Sequence, residues 1–169
     1  VASAETRIDL NRGWAFRIDP EGAGERSGWH EAPPLEAERV DVPHTWNRGK
    51  HHGYLGIAWY FREFDLPQLS PGATVQLNFG ATFYRARVWV NGVEVGGHEG
   101  GYTAYSFDIT DYLRKENRIA VAIDNRPGMA TIPGFGARGA PDAWYDWWAY
   151  GGIVRDVWLG IHGSVRIGN

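Results

Sequence analysis

Apolar and polar residues alternate with a period of two along most of the chain, most clearly through residues 84–110. Ala86, Val88 and Val90 fall on one side of an extended strand, and Arg85, Arg87 and Trp89 on the other. Asn91-Gly92 follows, the dipeptide favoured in a two-residue type I′ turn because both central positions need positive φ. The pattern predicts a hairpin with Val90 opposite Val93 and Val88 opposite Val95, running into a long glycine-rich loop and a further strand. One hairpin face belongs to a core. The other, with Arg85, Arg87, Trp89 and Glu94, faces water or a second layer.

The same period predicts strands over residues 58–66, 74–79 and 119–124. In the first, Tyr60, Arg62, Phe64 and Leu66 alternate with Trp59, Phe61 and Glu63, so aromatics fall on both faces and the sheet is expected to be covered on each side. In the second, Val75, Leu77 and Phe79 point inward; in the third, Ile119, Val121 and Ile123 do so. Residues 6–10 and 14–18 read as an opening strand pair joined by the turn Asn11-Arg12-Gly13. Residues 20–38 mix Gly, Pro and charge without a period and predict a surface excursion pinned by Trp29. Pro43 cannot donate to a sheet ladder, so the alternation over 40–46 ends as an edge or loop. Residues 111–117 predict one helical turn with Asp111 as N-cap. Pro127, Pro133 and Pro141 break any regular element between 125 and 148, predicting a long loop whose aromatic residues from Trp144 to Tyr150 argue against disorder. A last strand is expected over 153–161, with Arg155 on the apolar face and in a buried ion pair, Glu63 being a candidate partner. About eight or nine strands with closely spaced turns and no convincing helix predict an antiparallel β-sandwich.

Composition sharpens this picture. The 169 residues suit a single domain with a sizeable core. Nine Trp, eight Tyr and seven Phe beside 23 Gly point to strands, tight turns and a stacking surface. A formal charge of −3 without any Lys/Arg run gives no footprint for nucleic acid. No stretch approaches 18 consecutive apolar residues, so no membrane partner is expected. The absence of cysteine excludes disulfides, thiolate metal sites and cysteine nucleophiles. Ala2-Ser3-Ala4 has the small-x-small form of a signal-peptidase site, which predicts a periplasmic or secreted protein, a cytoplasmic one being the alternative.

Trp14 and Phe16, Val42-Pro43-His44-Thr45-Trp46, Ala58-Trp59-Tyr60-Phe61-Arg62, Val88-Trp89-Val90-Asn91-Gly92, Gly100-Gly101-Tyr102 with Phe107-Asp108-Ile109-Thr110, and Tyr150-Gly151-Gly152-Ile153 with Arg155 form an ordered set. In order and spacing this set resembles the N-terminal sugar-binding domain of glycoside hydrolase family 2, which includes β-galactosidases, β-glucuronidases and β-mannosidases. The resemblance runs from about Leu10 to Ile161. It implies a jelly-roll β-sandwich of galactose-binding-domain type, followed in the parent chain by an immunoglobulin-like domain and a TIM barrel carrying both catalytic glutamates. Retaining glycosidases need two carboxyl groups about 5 to 5.5 Å apart. The family's catalytic Asn-Glu pair has no counterpart here, so no catalytic residue is expected in this chain.

In the family's galactosidases and glucuronidases the loop before the last strand presents an aspartate to the terminal sugar, and alignment on Gly152-Ile153 and Arg155 places Asp146 there. A carboxylate suits that task because it accepts charge-assisted hydrogen bonds from two adjacent hydroxyls. No cofactor is expected; the resemblance implies a sodium ion near Asp146 only in the full-length enzyme. The large β-galactosidases add an asparagine from an earlier loop, where this sequence has Leu55 or Gly56. Trp147, Trp148 and Tyr150 suit a stacking platform for a sugar ring, or packing of the loop onto the sandwich. His98 suits donation to a sugar hydroxyl, or is a solvated loop histidine. His51-His52 lacks the spaced partners of a zinc site. Asp108, Asp111 and Asp124 suit a structural calcium or ordinary turn and capping roles. Three functions follow as expectations: an accessory domain at the active-site rim of a retaining exo-β-glycosidase, an autonomous carbohydrate-binding module, or a brace for the catalytic barrel.

Overall fold

The computed structural model describes residues 6–128, 130, 131 and 149–163. The described residues form twelve strands, in this order: β1 (Thr6–Asp9), β2 (Trp14–Asp19), β3 (Glu38–Val40), β4 (Ile57–Phe64), β5 (Thr74–Phe79), β6 (Thr82–Phe83), β7 (Arg85–Val90), β8 (Val93–Glu99), β9 (Tyr105–Asp108), β10 (Asn117–Asp124), β11 (Gly152–Ile153) and β12 (Val157–His162). They build a four-stranded sheet in the order β1-β12-β5-β9, a six-stranded sheet in the order β3-β2-β4-β10-β7-β8, and the short pair β11-β6. Every pairing is antiparallel. This is the expected antiparallel jelly-roll β-sandwich.

Between the large sheets lies the main core, built by the period-2 pattern from both sides. The six-stranded sheet contributes Trp14, Phe16, Tyr60, Phe64, Val88, Val90, Ile119, Val121 and Ile123, and the four-stranded sheet Val75, Leu77, Phe79, Val157 and Leu159. A second, smaller cluster forms on the outer face of the six-stranded sheet from Trp59, Phe61, Trp89 and Ala120. Its cause is in the register. β10 sets the small Ala120 between Phe61 and Trp89, and Ala122 between Trp59 and Arg87, so the large rings on β4 and β7 meet across it. Trp59 stacks on Trp89 at 5.1 Å and on Phe61 at 6.1 Å. The 20–37 excursion covers this layer. Its Trp29 packs edge-on against Trp59, and buried Asp19 ties it down by accepting from the Ala23 and Gly24 N–H groups and from Trp59 Nε1.

Several expectations are corrected. Residues 6–9 and 14–19 are not a pair: β1 lies beside β12 in one sheet and β2 beside β3 and β4 in the other. Asn11, read as turn chemistry, carries the crossover. Its Oδ1 accepts from Val157 N–H, and its backbone carbonyl accepts from Val42 N–H. In the hairpin Val90 does face Val93, but a bulge puts Gly96 rather than Val95 opposite Val88, and Val93 is exposed. The glycine-rich stretch continues as strand β8 and is not a long loop. Gly96 leaves room for the Phe107 ring, which would lie 2.5 Å from an added Cβ, and Gly97 lets β8 approach the Ala86 carbonyl.

The helical turn is a 3-10 turn at Thr110–Tyr112, and the carboxylate that supports it is Asp108, accepting from Thr110 N–H and Oγ1–H, not Asp111. The last strand is interrupted between Ile153 and Val157. Arg155 therefore sits at a surface irregularity, exposed, with no ion pair among the described residues. The N–H groups of Val154 and Arg155 both point to the Ala81 carbonyl.

Candidate functional site

One edge of the six-stranded sheet gathers most of the long connections. Asp19, Ile57, Asp124, Arg85 and Glu99 form a single row across β2, β4, β10, β7 and β8. The 47–56 segment enters the sheet at this row, and the chain that returns at Ala149 leaves it. The far end is different: there Arg62, Glu63, Arg114, Glu116 and Arg118 line an open cleft of about 1110 Å³ whose mixed charges favour no one ligand sign.

The edge is organised around one backbone carbonyl. Tyr54 O accepts three donors, Trp46 Nε1–H at 3.2 Å, Asn47 Nδ2–H at 3.2 Å and Asn125 Nδ2–H at 3.3 Å. Both amides are buried, Asn47 to 3% and Asn125 to 0% exposure. Asn125 spends the rest of its side chain on two further segments, accepting from Gly56 N–H at 2.9 Å and donating to Ala149 O at 3.0 Å. Asn47 Oδ1 accepts from Gly151 N–H at 2.8 Å. An amide supplies one acceptor and two donors in fixed geometry, and so joins segments far apart in sequence. Departure and return of the 126–149 segment are thus held to the 47–56 segment.

Below this knot the return is locked again. Trp46 N–H donates to Gly151 O, and His44 N–H donates to Ile153 O at 2.7 Å. The fully buried Tyr60 Oη lies 2.7 Å from Nδ1 of the half-buried His44. Burial pushes the Tyr60 hydroxyl well above its ordinary value and holds the His44 imidazole below its own. Burial also raises the Tyr54 hydroxyl to about 12, and that hydroxyl donates to Ile57 O. The Asp124 carboxyl is pushed up by burial but held below its ordinary value by the Arg126 guanidinium and backbone N–H.

His44 makes the acid limb of stability readable. An imidazole bound to its proton less tightly when folded than when unfolded favours folding only while neutral. The unfolded chain takes up the proton near the ordinary value of 6.5, the folded chain at lower pH, so stability falls as pH drops below about 6.5. Burial lowers His98 in the same direction. Thermal midpoints of His44→Gln between pH 7 and 5 are expected to fall less steeply than wild type; identical slopes would contradict the half-buried neutral imidazole.

The sequence-predicted site residues divide. Tyr150 is 48% exposed and lies between the two anchored positions Ala149 and Gly151. His98 sits on strand β8 opposite Ala86, two strand spacings, roughly 10 Å, from β10. Its ring stacks on Tyr105 at 4.2 Å and its Nε2 meets Thr103 Oγ1 at 3.0 Å, so part of its bonding capacity is used inside the domain. Asp146, Trp147 and Trp148 lie outside the described residues. Asp108 and Asp124 have the turn and ion-pair roles given above, and the described residues contain no group of three potential metal ligands. Asn47, Tyr54 and Asn125 were not legible as site residues, because their partners lie up to 104 residues away.

The carboxylates of this edge row are engaged: Asp19 by three donors, Asp124 by Arg126 and Glu99 by Arg85. Such an edge holds and presents loops. The chain belongs to glycosyl hydrolases family 2: residues 50–162 match the model of that family's sugar binding domain. It is 32% identical over 131 residues to a β-glucuronidase from Paenibacillus borealis, covering 74% of this chain and 22% of that protein. It is 36% identical over 138 residues to a β-galactosidase from Thermoanaerobacter pseudethanolicus, covering 77% of this chain and 18% of that protein. In structure it matches the β-glucuronidase from Ruminococcus gnavus solved in complex with uronic isofagomine, with a TM-score of 0.84 and 28% identity over 94% of this chain and 29% of that one. The chain thus spans about a fifth of the length of these curated relatives.

Proposed function

We propose that this chain is the non-catalytic N-terminal domain of a retaining exo-β-glycosidase of β-galactosidase or β-glucuronidase type, and that it lends the 132–148 segment to the rim of an active site whose chemistry lies in a downstream TIM barrel. Asp146 accepts hydrogen bonds from the terminal β-linked sugar, and Trp147, Trp148 and Tyr150 provide ring surface beside it. His98 is assigned a minor role at the same rim. A sodium ion near Asp146 belongs to this reading only in the full-length enzyme, and an immunoglobulin-like domain and the barrel are its partners. The observation that carries the reading is the double anchoring of Asn125 and Gly151 within a family 2 sugar binding domain, which fixes where the segment bearing Asp146 starts and ends.

The accessory reading makes a prediction about the isolated chain. Titration with galactose, glucuronic acid and short β-linked oligosaccharides, followed by tryptophan fluorescence, is expected to give no saturable response up to millimolar sugar. A saturable response weakened by Trp148→Ala would instead favour an autonomous binding module, for which exposed Tyr150 is the supporting feature.

A further inference from the structure

We infer that Asn91 is a site of spontaneous covalent modification, deamidation through a cyclic imide with Gly92, and that a network of asparagine hydrogen bonds confines the reaction to moments when the tip of the β7–β8 hairpin opens. The inference is independent of the sugar contacts proposed above. Asn91 is the only asparagine of the sequence followed by glycine. The pair forms the hairpin turn, with φ of +53° at Asn91 and +84° at Gly92. Both residues border the open cleft at the far end of the six-stranded sheet, where water reaches them.

The chemistry needs only water and hydroxide. Hydroxide takes the Gly92 amide proton, and the nitrogen attacks Asn91 Cγ, which glycine favours because no side chain shields its backbone. A bond forms between that nitrogen and Cγ. The Cγ–Nδ2 bond breaks, and Nδ2 leaves as ammonia with a proton from water, which restores the hydroxide. Water then opens the imide at either carbonyl, leaving an aspartyl or an isoaspartyl residue.

In the folded hairpin the amide is held from both ends. Asn91 Nδ2 donates to Tyr112 O at 2.8 Å and to Asn117 Oδ1 at 3.0 Å, and Asn91 Oδ1 accepts from Arg118 N–H at 2.9 Å. Asn117 is itself buried and fixed, its Oδ1 accepting from Arg114 N–H and its Nδ2 donating to Arg114 O, both at 2.8 Å. Turning Cγ onto the Gly92 nitrogen and expelling Nδ2 breaks the Asn91 bonds, so the reaction proceeds from the open tip. The products cannot restore the network. A carboxylate has no N–H for Tyr112 O and Asn117 Oδ1. An isoaspartyl link adds a backbone carbon to a two-residue turn that sets Val90 opposite Val93. Modification therefore leaves the hairpin tip loosened.

The test follows Asn91 by peptide mapping and mass spectrometry of the full-length protein in mildly alkaline buffer, beside a synthetic peptide of residues 85–99. The folded protein is expected to deamidate at Asn91 about 100-fold more slowly than the peptide, and Asn117→Ala, which removes one acceptor and the brace behind it, to speed the folded protein about 10-fold. Equal rates in protein and peptide would overturn the gating, as would an unchanged rate in folded Asn117→Ala. A peptide that keeps its amide would overturn the site itself. If Asn117→Ala fails to fold, the unmodified protein decides in rising urea below its unfolding transition. The Arg118 amide is bonded to Asn91 Oδ1, so its hydrogen exchange and the deamidation of Asn91 are expected to accelerate by the same factor. Faster exchange with unchanged deamidation would overturn the inference.

Discussion

Asp146→Asn in the full-length enzyme is expected to lower kcat/KM by a factor of about 10 to 1000, with little change in thermal midpoint. The size follows from the bonds proposed for this residue. A carboxylate accepts from two neighbouring hydroxyls at once, and each hydrogen bond to a charged group is worth about 1.5 to 3 kcal/mol. The amide keeps the shape and one acceptor but loses the charge and turns its other half into a donor facing a hydroxyl. The domain's core is built between the two sheets from residues such as Leu77, Val88, Val121 and Leu159. The measurement is steady-state kinetics on an aryl β-glycoside beside a melting curve.

Gly152→Ala is expected to be the most damaging single change in the described rim. Gly152 has φ of +141°, a conformation L side chains rarely adopt, and its Cβ would overlap the His44 carbonyl oxygen and stand 2.8 Å from Tyr60 Oη. Neither neighbour can yield. The His44 backbone is tied to Ile153 by a hydrogen bond, and the Tyr60 ring is fully buried and packed on Phe16 at 5.0 Å. Backbone strain plus this clash is worth about 4 kcal/mol, which lowers the melting temperature of a chain this size by roughly 8 to 16 °C. Gly128→Ala is the control, since a Cβ there meets nothing within 4 Å among the described residues. It is expected to stay within about 0.5 kcal/mol of wild type. A Gly152→Ala chain that melts with wild type would contradict the close approach of the β11 strand to the His44 segment.

Much of the sandwich was legible because a half-buried strand writes its two faces into alternate letters. Residues 74–79 and 119–124 became β5 and β10 with the predicted residues inward, and the aromatics on both faces of 57–64 announced the second cluster around Trp59. Alternation does not name a strand's partner, however. Asn11-Arg12-Gly13 has the composition of a hairpin turn and so predicts that the opening strands pair with each other, whereas Asn11 uses its side chain to reach Asp156 and Val157 across the molecule. Gly96 and Gly97 read as loop because glycine signals freedom; in the structure they signal crowding by Phe107 and the Ala86 carbonyl. A period continued through 153–161 puts Arg155 inward, but the strand breaks between Ile153 and Val157. The rim followed the same rule. Aromatic richness near Tyr150 was visible in the letters, while the asparagines that fix the rim act through contacts 69 and 104 residues apart, which no local pattern records.

Deoxygenated substrates test the proposed contact between Asp146 and the sugar most directly. Each ring hydroxyl of the preferred aryl β-glycoside is removed in turn, and kcat/KM is compared between wild type and Asp146→Asn in the full-length enzyme. The account predicts at least one hydroxyl whose loss costs wild type about 10-fold or more yet costs the variant less than about 3-fold, because the partner lost from the sugar was already lost from the protein. Equal penalties at every hydroxyl in both enzymes would contradict it.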